Sequence, residues 1–112
     1  MNRPLPGPQV TFWTEAPDNA PDEVKGSACY FRPERLEWRV WTLWGGRVVV
    51  DVVAHGPATR VEHRQGSMYW GVEGTPEGDT RPPWLPLPLD KLTQAILLVK
   101  RLTEKEARDV EA

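Results

Sequence analysis

Between residues 36 and 55 the chain reads LEWRVWTLWGGRVVVDVVAH, two β-rich runs divided by Gly45 and Gly46. Trp38, Trp41 and Trp44 recur at every third position, a spacing that would share one face of a helix. Val40, Thr42 and the valines that follow favour strands instead. Two such runs split by a Gly-Gly pair predict a β-hairpin with a two-residue type I′ turn, where glycine accepts positive φ at both positions. That turn implies a register in which Trp44 faces Arg47, Trp41 faces Val50 and Trp38 faces Val53. Alternation then puts Trp41, Leu43, Val48, Val50, Val52 and Ala54 on one face. Leu36, Trp38, Val40, Trp44, Val49 and Val53 fall on the other, mixed with Thr42, Arg47, Asp51 and His55. Both faces carry apolar side chains, whereas a half-solvated hairpin has one polar face.

The remaining pattern extends this hairpin into a meander. VTFWT (10–14) predicts a strand, an acidic proline-containing loop follows, and the aromatic run ACYFR (28–32) predicts another strand. TRVEHR (59–64) and SMYWGV (67–72) alternate on either side of Gln65-Gly66, which predicts a second hairpin. Residues 73–88 hold five prolines and two glycines and are expected to form a loop. Asp90 offers an N-cap before KLTQAILLVKRL, in which Leu92, Ile96 and Val99 form one stripe with Leu102 beside it. Thr103 and Glu106 have capping-box spacing, so the pattern suits one helix over 90–110 as well as a helix broken near 102–103. Pro4, Pro6 and Pro8 make residues 1–9 an extended arm.

The expected fold is one α+β domain over 1–112. It has an antiparallel β-meander sheet of five to six strands within 10–72, a proline-rich loop over 73–89 and a C-terminal helix packed on one face. The face expected under the helix is that of Val48, Val50 and Val52.

A single cysteine, Cys29, rules out an intrachain disulfide. The N-terminal residues lack a signal-peptide apolar run, and the longest apolar block, AILLV (95–99), is too short to span a bilayer. The expectation is a cytoplasmic protein. Net charge is −2, which gives little general affinity for nucleic acid. The distribution is uneven: residues 25–72 sum to +3, and the flanking stretches 1–24 and 73–90 to −3 each.

Six tryptophans are more than one thin core needs, and the surplus is the functional clue. Trp38, Trp44, Arg47, Asp51 and His55 form the candidate partner-binding surface, because aromatic and arginine side chains anchor protein interfaces. Trp38, Trp44 and Arg47 would be anchors, with Asp51 and His55 as polar contacts. The plainer reading is that this face is covered from within the chain. PPWLPLP (82–88) contains a P-x-x-P pattern that suits an aromatic groove. Exposing Trp84, Leu85 and Leu87 would be costly, so a strap packed on the chain's own core is favoured.

His55 and His63 lack the spacing of a metal site, and Cys29 has no nucleophile-like flank; no metal, cofactor or catalytic residue is assigned. The expected function is therefore that of a non-enzymatic accessory or inhibitor-type protein that binds another protein or a second copy of itself. A single-stranded nucleic-acid-binding module is one alternative, since FRPERLEWRVW interleaves rings and arginines. A small enzyme with a site between the sheet and the proline-rich loop is another. The closing segment, a strand MYWGVEG, an acidic loop and LPLDKL entering an amphipathic helix, resembles small bacterial immunity proteins. That strand–loop–helix pattern is common and assigns no function.

Overall fold

A computed structural model describes residues 10–21, 32–43, 47–56, 62–71 and 74–111, the side chains of 62–65 and 105–111 excepted. Five strands form one antiparallel sheet in sequence order: β1 (Val10–Glu15), β2 (Arg35–Thr42), β3 (Val48–His55), β4 (Glu62–Trp70) and β5 (Pro76–Asp79). One helix, α1 (Leu89–Glu111), packs against it. The fold is thus the α+β meander that the hydrophobic pattern predicts.

The helix packs on the face that carries the expected valines, lying over β2 and β1. Val48, Val50 and Val52 share a buried cluster with Leu92, Ala95, Ile96 and Val99 of α1. Leu85 is fully buried in the same cluster, with Trp84 and Leu87 packed against it. The proline-rich segment therefore folds onto its own core as a strap. Arg81 fastens its start, pairing with Asp79 at 3.0 Å through Nε and donating through Nη1 to the Leu85 carbonyl.

Two expectations need correction, and one alternative left open by the sequence is decided. The β2–β3 register is one residue away from that of a two-residue turn. Thr42 pairs with Val48, Trp38 with Val52 and Leu36 with Ala54, and the Leu43 N–H donates to the Arg47 carbonyl at 2.7 Å. Three residues, not two, separate the last bonded pair; these, Trp44 to Gly46, lie outside the described residues. One step of register transfers a whole strand's side chains to the opposite face. One face is then apolar apart from Thr42, and the other is mixed. Leu36, Trp38, Val40 and Thr42 join Val48, Val50, Val52 and Ala54 under the helix. Arg35, Glu37, Arg39 and Trp41 join Val49, Asp51, Val53 and His55 on the other side.

Gln65-Gly66 is not a turn. β4 runs through it, and the β3–β4 register shifts between Val52 and Val53, where Gly66 faces Val52. Glycine is required there for two reasons. Its φ is +155°, and a Cβ would lie 2.7 Å from the Thr80 carbonyl oxygen and 2.9 Å from the Arg81 Cα. The Thr80 hydroxyl accepts from the Ser67 N–H at 3.0 Å and donates to the Ser67 carbonyl at 2.6 Å, which fastens the crossing segment. The strand that completes this hairpin is β5, inside the stretch expected to be loop. Pro76 takes its first position, where a missing N–H is tolerated.

Finally, α1 continues through 102–103. The Thr103 hydroxyl donates to the Val99 carbonyl at 2.9 Å and lies 3.1 Å from the Thr42 hydroxyl, so it links the helix to the sheet rather than capping a new one. The helix starts one residue before Asp90. The Pro88 carbonyl accepts its first bond, from the Leu92 N–H at 2.9 Å, and Asp90 sits in the first turn, where the helix dipole favours a negative charge. The predicted strand at 28–32 and the arm at 1–9 fall outside the described residues, apart from Arg32, which is not in a strand.

Candidate functional site

The five residues singled out from the sequence do not share one surface. Trp38 is 1 % exposed beneath the helix, stacked on Phe12 with ring centroids 5.9 Å apart, and its indole N–H donates to the Thr14 hydroxyl at 2.8 Å. Asp51 and His55 lie on the opposite face. Asp51 is buried and accepts from the Ser67 hydroxyl at 3.1 Å. Arg47 precedes β3 while His55 ends it, about 27 Å apart at the rise of an extended strand. Arg47 pairs instead with Glu77 at 3.3 Å, both well exposed. Trp44 lies outside the described residues.

What the structure brings together is a different group, at the Arg35–His55 end of the face away from the helix. β1 pairs with β2 so that Trp13 lies beside Glu37 and Glu15 beside Arg35; β3 sets His55 beside Arg35 on the other flank. Trp13 is the centre. The His55 ring sits 4.8 Å from its ring, tilted by 47°, and the Arg35 guanidinium carbon lies 4.7 Å above it. That distance is within cation–π range. Glu37 continues the network, accepting from Arg39 at 2.9 Å and lying 3.0 Å from His55 Nε2 through the same oxygen.

The electrostatics follow from these contacts. The Arg39 hydrogen bond holds the Glu37 carboxyl below its ordinary value; burial opposes this, and the His55 contact adds to the lowering. Trp13 remains 42 % exposed despite its two partners, so the network orders an aromatic ring without covering it. Farther along this face Val49, Asp51 and Val53 are buried and Trp41 and Tyr69 half-buried, so Trp13 is the most exposed ring of this face among the described residues.

Sequence reasoning missed Trp13, Arg35 and Glu37. Trp13 stood in a short stretch read only as a strand. Its exposure was legible only from the β1–β2 pairing, which places odd-numbered residues of both strands on the open face.

On the helix side of β1 an open groove of about 340 Å³ is lined by Val10, Phe12, Lys91, Gln94, Ala95 and Leu98. Among the described residues, no three His, Cys, Asp or Glu side chains are grouped to hold a metal ion, and no helix is long and apolar enough to cross a membrane. No protein-family model matches this chain, nor does any curated protein or solved structure.

Proposed function

We propose that this is a non-enzymatic accessory or inhibitor-type protein of the cytoplasm that binds another protein through the outward face of its sheet, with Trp13 as the anchor. The observation that carries this reading is the ordered but exposed indole, held between the His55 ring and the Arg35 guanidinium. A side chain already fixed before contact loses little entropy on binding, and Trp and Arg are the residues most enriched among interface anchors. Arg35 and His55 take the place of Trp38 and Trp44 as the groups beside the anchor.

The nucleic-acid reading has less support. Arg39, Arg47 and Arg81 each face a carboxylate within ion-pair distance, which weakens the pull on phosphate. The enzyme reading has less still, since Leu85, Trp84 and Leu87 fill the space between the sheet and the proline-rich segment.

The test is affinity capture from lysate, with and without nuclease, using the wild type, Trp13→Ala and Arg35→Ala. A protein partner should survive nuclease. It should also bind each variant more weakly by about 2 kcal/mol, roughly thirtyfold in Kd. Equal retention by both variants, or capture that nuclease abolishes, would show the reading to be wrong.

A further inference from the structure

The two edges of the sheet are built differently. β5 is four residues long, opens on Pro76, carries Glu77 and Asp79 and is shifted in register against β4. Each of these features discourages the addition of another strand. Among the described residues β1 is the other edge, longer, without proline or a register shift, and with one acidic residue, Glu15, at its end. It is six residues, VTFWTE, in unbroken register with β2, and Thr11, Trp13 and Glu15 are exposed.

The hydrogen bond from the Ala16 N–H to the Glu34 carbonyl, 3.0 Å, sets the phase of the β1–β2 ladder. By the alternation of antiparallel pairs, the backbone groups of Val10, Phe12 and Thr14 turn toward β2, and those of Thr11, Trp13 and Glu15 turn outward. The apolar groove runs along this same edge on the helix side, with Leu98 beside it 46 % exposed.

We infer that β1 pairs antiparallel with β1 of a second copy of this chain about a two-fold axis normal to the sheet. The two five-stranded sheets join into one, with both helices on the same side. A second copy is the occupant that the geometry selects. A two-fold contact requires a patch that complements itself, and this edge supplies both halves, an open strand and a groove with an apolar knob next to it.

The axis also restricts the register. Residues that face each other must point to the same side of the sheet, so both must be odd-numbered or both even-numbered. The pairing centred on Phe12 meets this condition. It joins Thr11 to the partner's Trp13 through outward backbone groups and sets Phe12 against the partner's Phe12 beside the two grooves.

The area is consistent with a reversible dimer. Six extended residues span about 20 Å, and a helix on a sheet is about 20 Å deep. Each copy thus offers roughly 400 Å², about 800 Å² in total, the size of a weak, reversible contact.

Sedimentation velocity on the full chain, from about 1 to 500 µM, tests this in the range where such interfaces dissociate. Thr11→Pro removes an outward N–H and leaves the ladder to β2 intact. Leu98→Glu charges the exposed knob without touching the strand. The wild type should pass from monomer to dimer across the range, and each variant should raise the dissociation constant at least roughly tenfold. Circular dichroism and Tm report whether each variant stays folded; if Thr11→Pro does not, Leu98→Glu decides. A wild type that is monomeric throughout, or a dimer that either folded variant leaves intact, overturns the inference. Arg35→Ala, one strand in from the edge, should leave the dimer unchanged, so this result stands apart from the partner-binding test.

Discussion

On the helix side of the sheet, Trp38 is 1 % exposed, its ring stacked on Phe12 and its N–H satisfied by Thr14. On the other side, from the neighbouring strand, Trp13 is 42 % exposed with a histidine and an arginine against its ring. The two indoles lie on adjacent strands at neighbouring register positions, since Phe12 faces Trp38 and Trp13 faces Glu37. Their surroundings differ because one face is closed by apolar helix residues and the other is lined by charged and aromatic side chains. The number of tryptophans says nothing about which of them serve the core; pairing parity does.

This contrast can be tested by substitution, and the helix side should respond most. Trp38→Ala removes a fully buried ring and should cost about 3–5 kcal/mol in denaturant unfolding. A cost under 1 kcal/mol would mean that the helix does not seal this face. Gly66→Ala forces a Cβ against the backbone of Thr80 and Arg81 and should cost about 2–3 kcal/mol, since a strained φ and a close contact act together. Thr42→Val deletes the hydroxyl contact with Thr103 that links sheet to helix, with an expected loss of about 1 kcal/mol. Trp13→Ala should cost less than about 1 kcal/mol, because a partly exposed ring contributes little to folding. A larger loss would make Trp13 a core residue and remove the basis for its role in binding.

The smallest effect concerns pH and belongs to the open face alone. The Glu37 carboxyl is held below 4.5 in the fold, so the unfolded chain takes up the proton first as pH falls. Its contribution is present at neutral pH and is lost as pH drops below 4.5 through the lowered folded value. Tm followed from pH 6 to 3 should therefore fall less steeply in Glu37→Gln than in the wild type. Parallel curves would show that the Arg39 and His55 contacts do not stabilise the carboxylate.

The two sides of the sheet were not equally legible in the sequence. The valine run, the helix stripe of Leu92, Ile96 and Val99, and the side on which they meet follow from periodicity alone. Register does not. Gly45-Gly46 suits a two-residue turn, and nothing local distinguishes it from the three-residue spacing between Leu43 and Arg47. That single step placed Trp38 among Asp51 and His55 instead of opposite them. Gly66 misled for a related reason: glycine marks a turn and a crowded crossing equally well, and only the tertiary approach of Thr80 distinguishes the two. The Trp13 cluster draws on three strands, and its members become neighbours only once both registers between them are known.

The crossing at Gly66 has one more consequence. Ser67 and Thr80 hold each other through both main-chain groups of Ser67, while Gly66 leaves no slack for the passing backbone. The β4–β5 hairpin between them is therefore bolted at its base. Beyond it, Gly74 holds a φ of +82° and a Cβ at Gly71 would lie 2.5 Å from the Glu77 carboxylate, so the connection is constrained at both of these glycines as well as at the bolt. Glycine at 66, 71 and 74 is what natural variation should preserve in this part of the molecule.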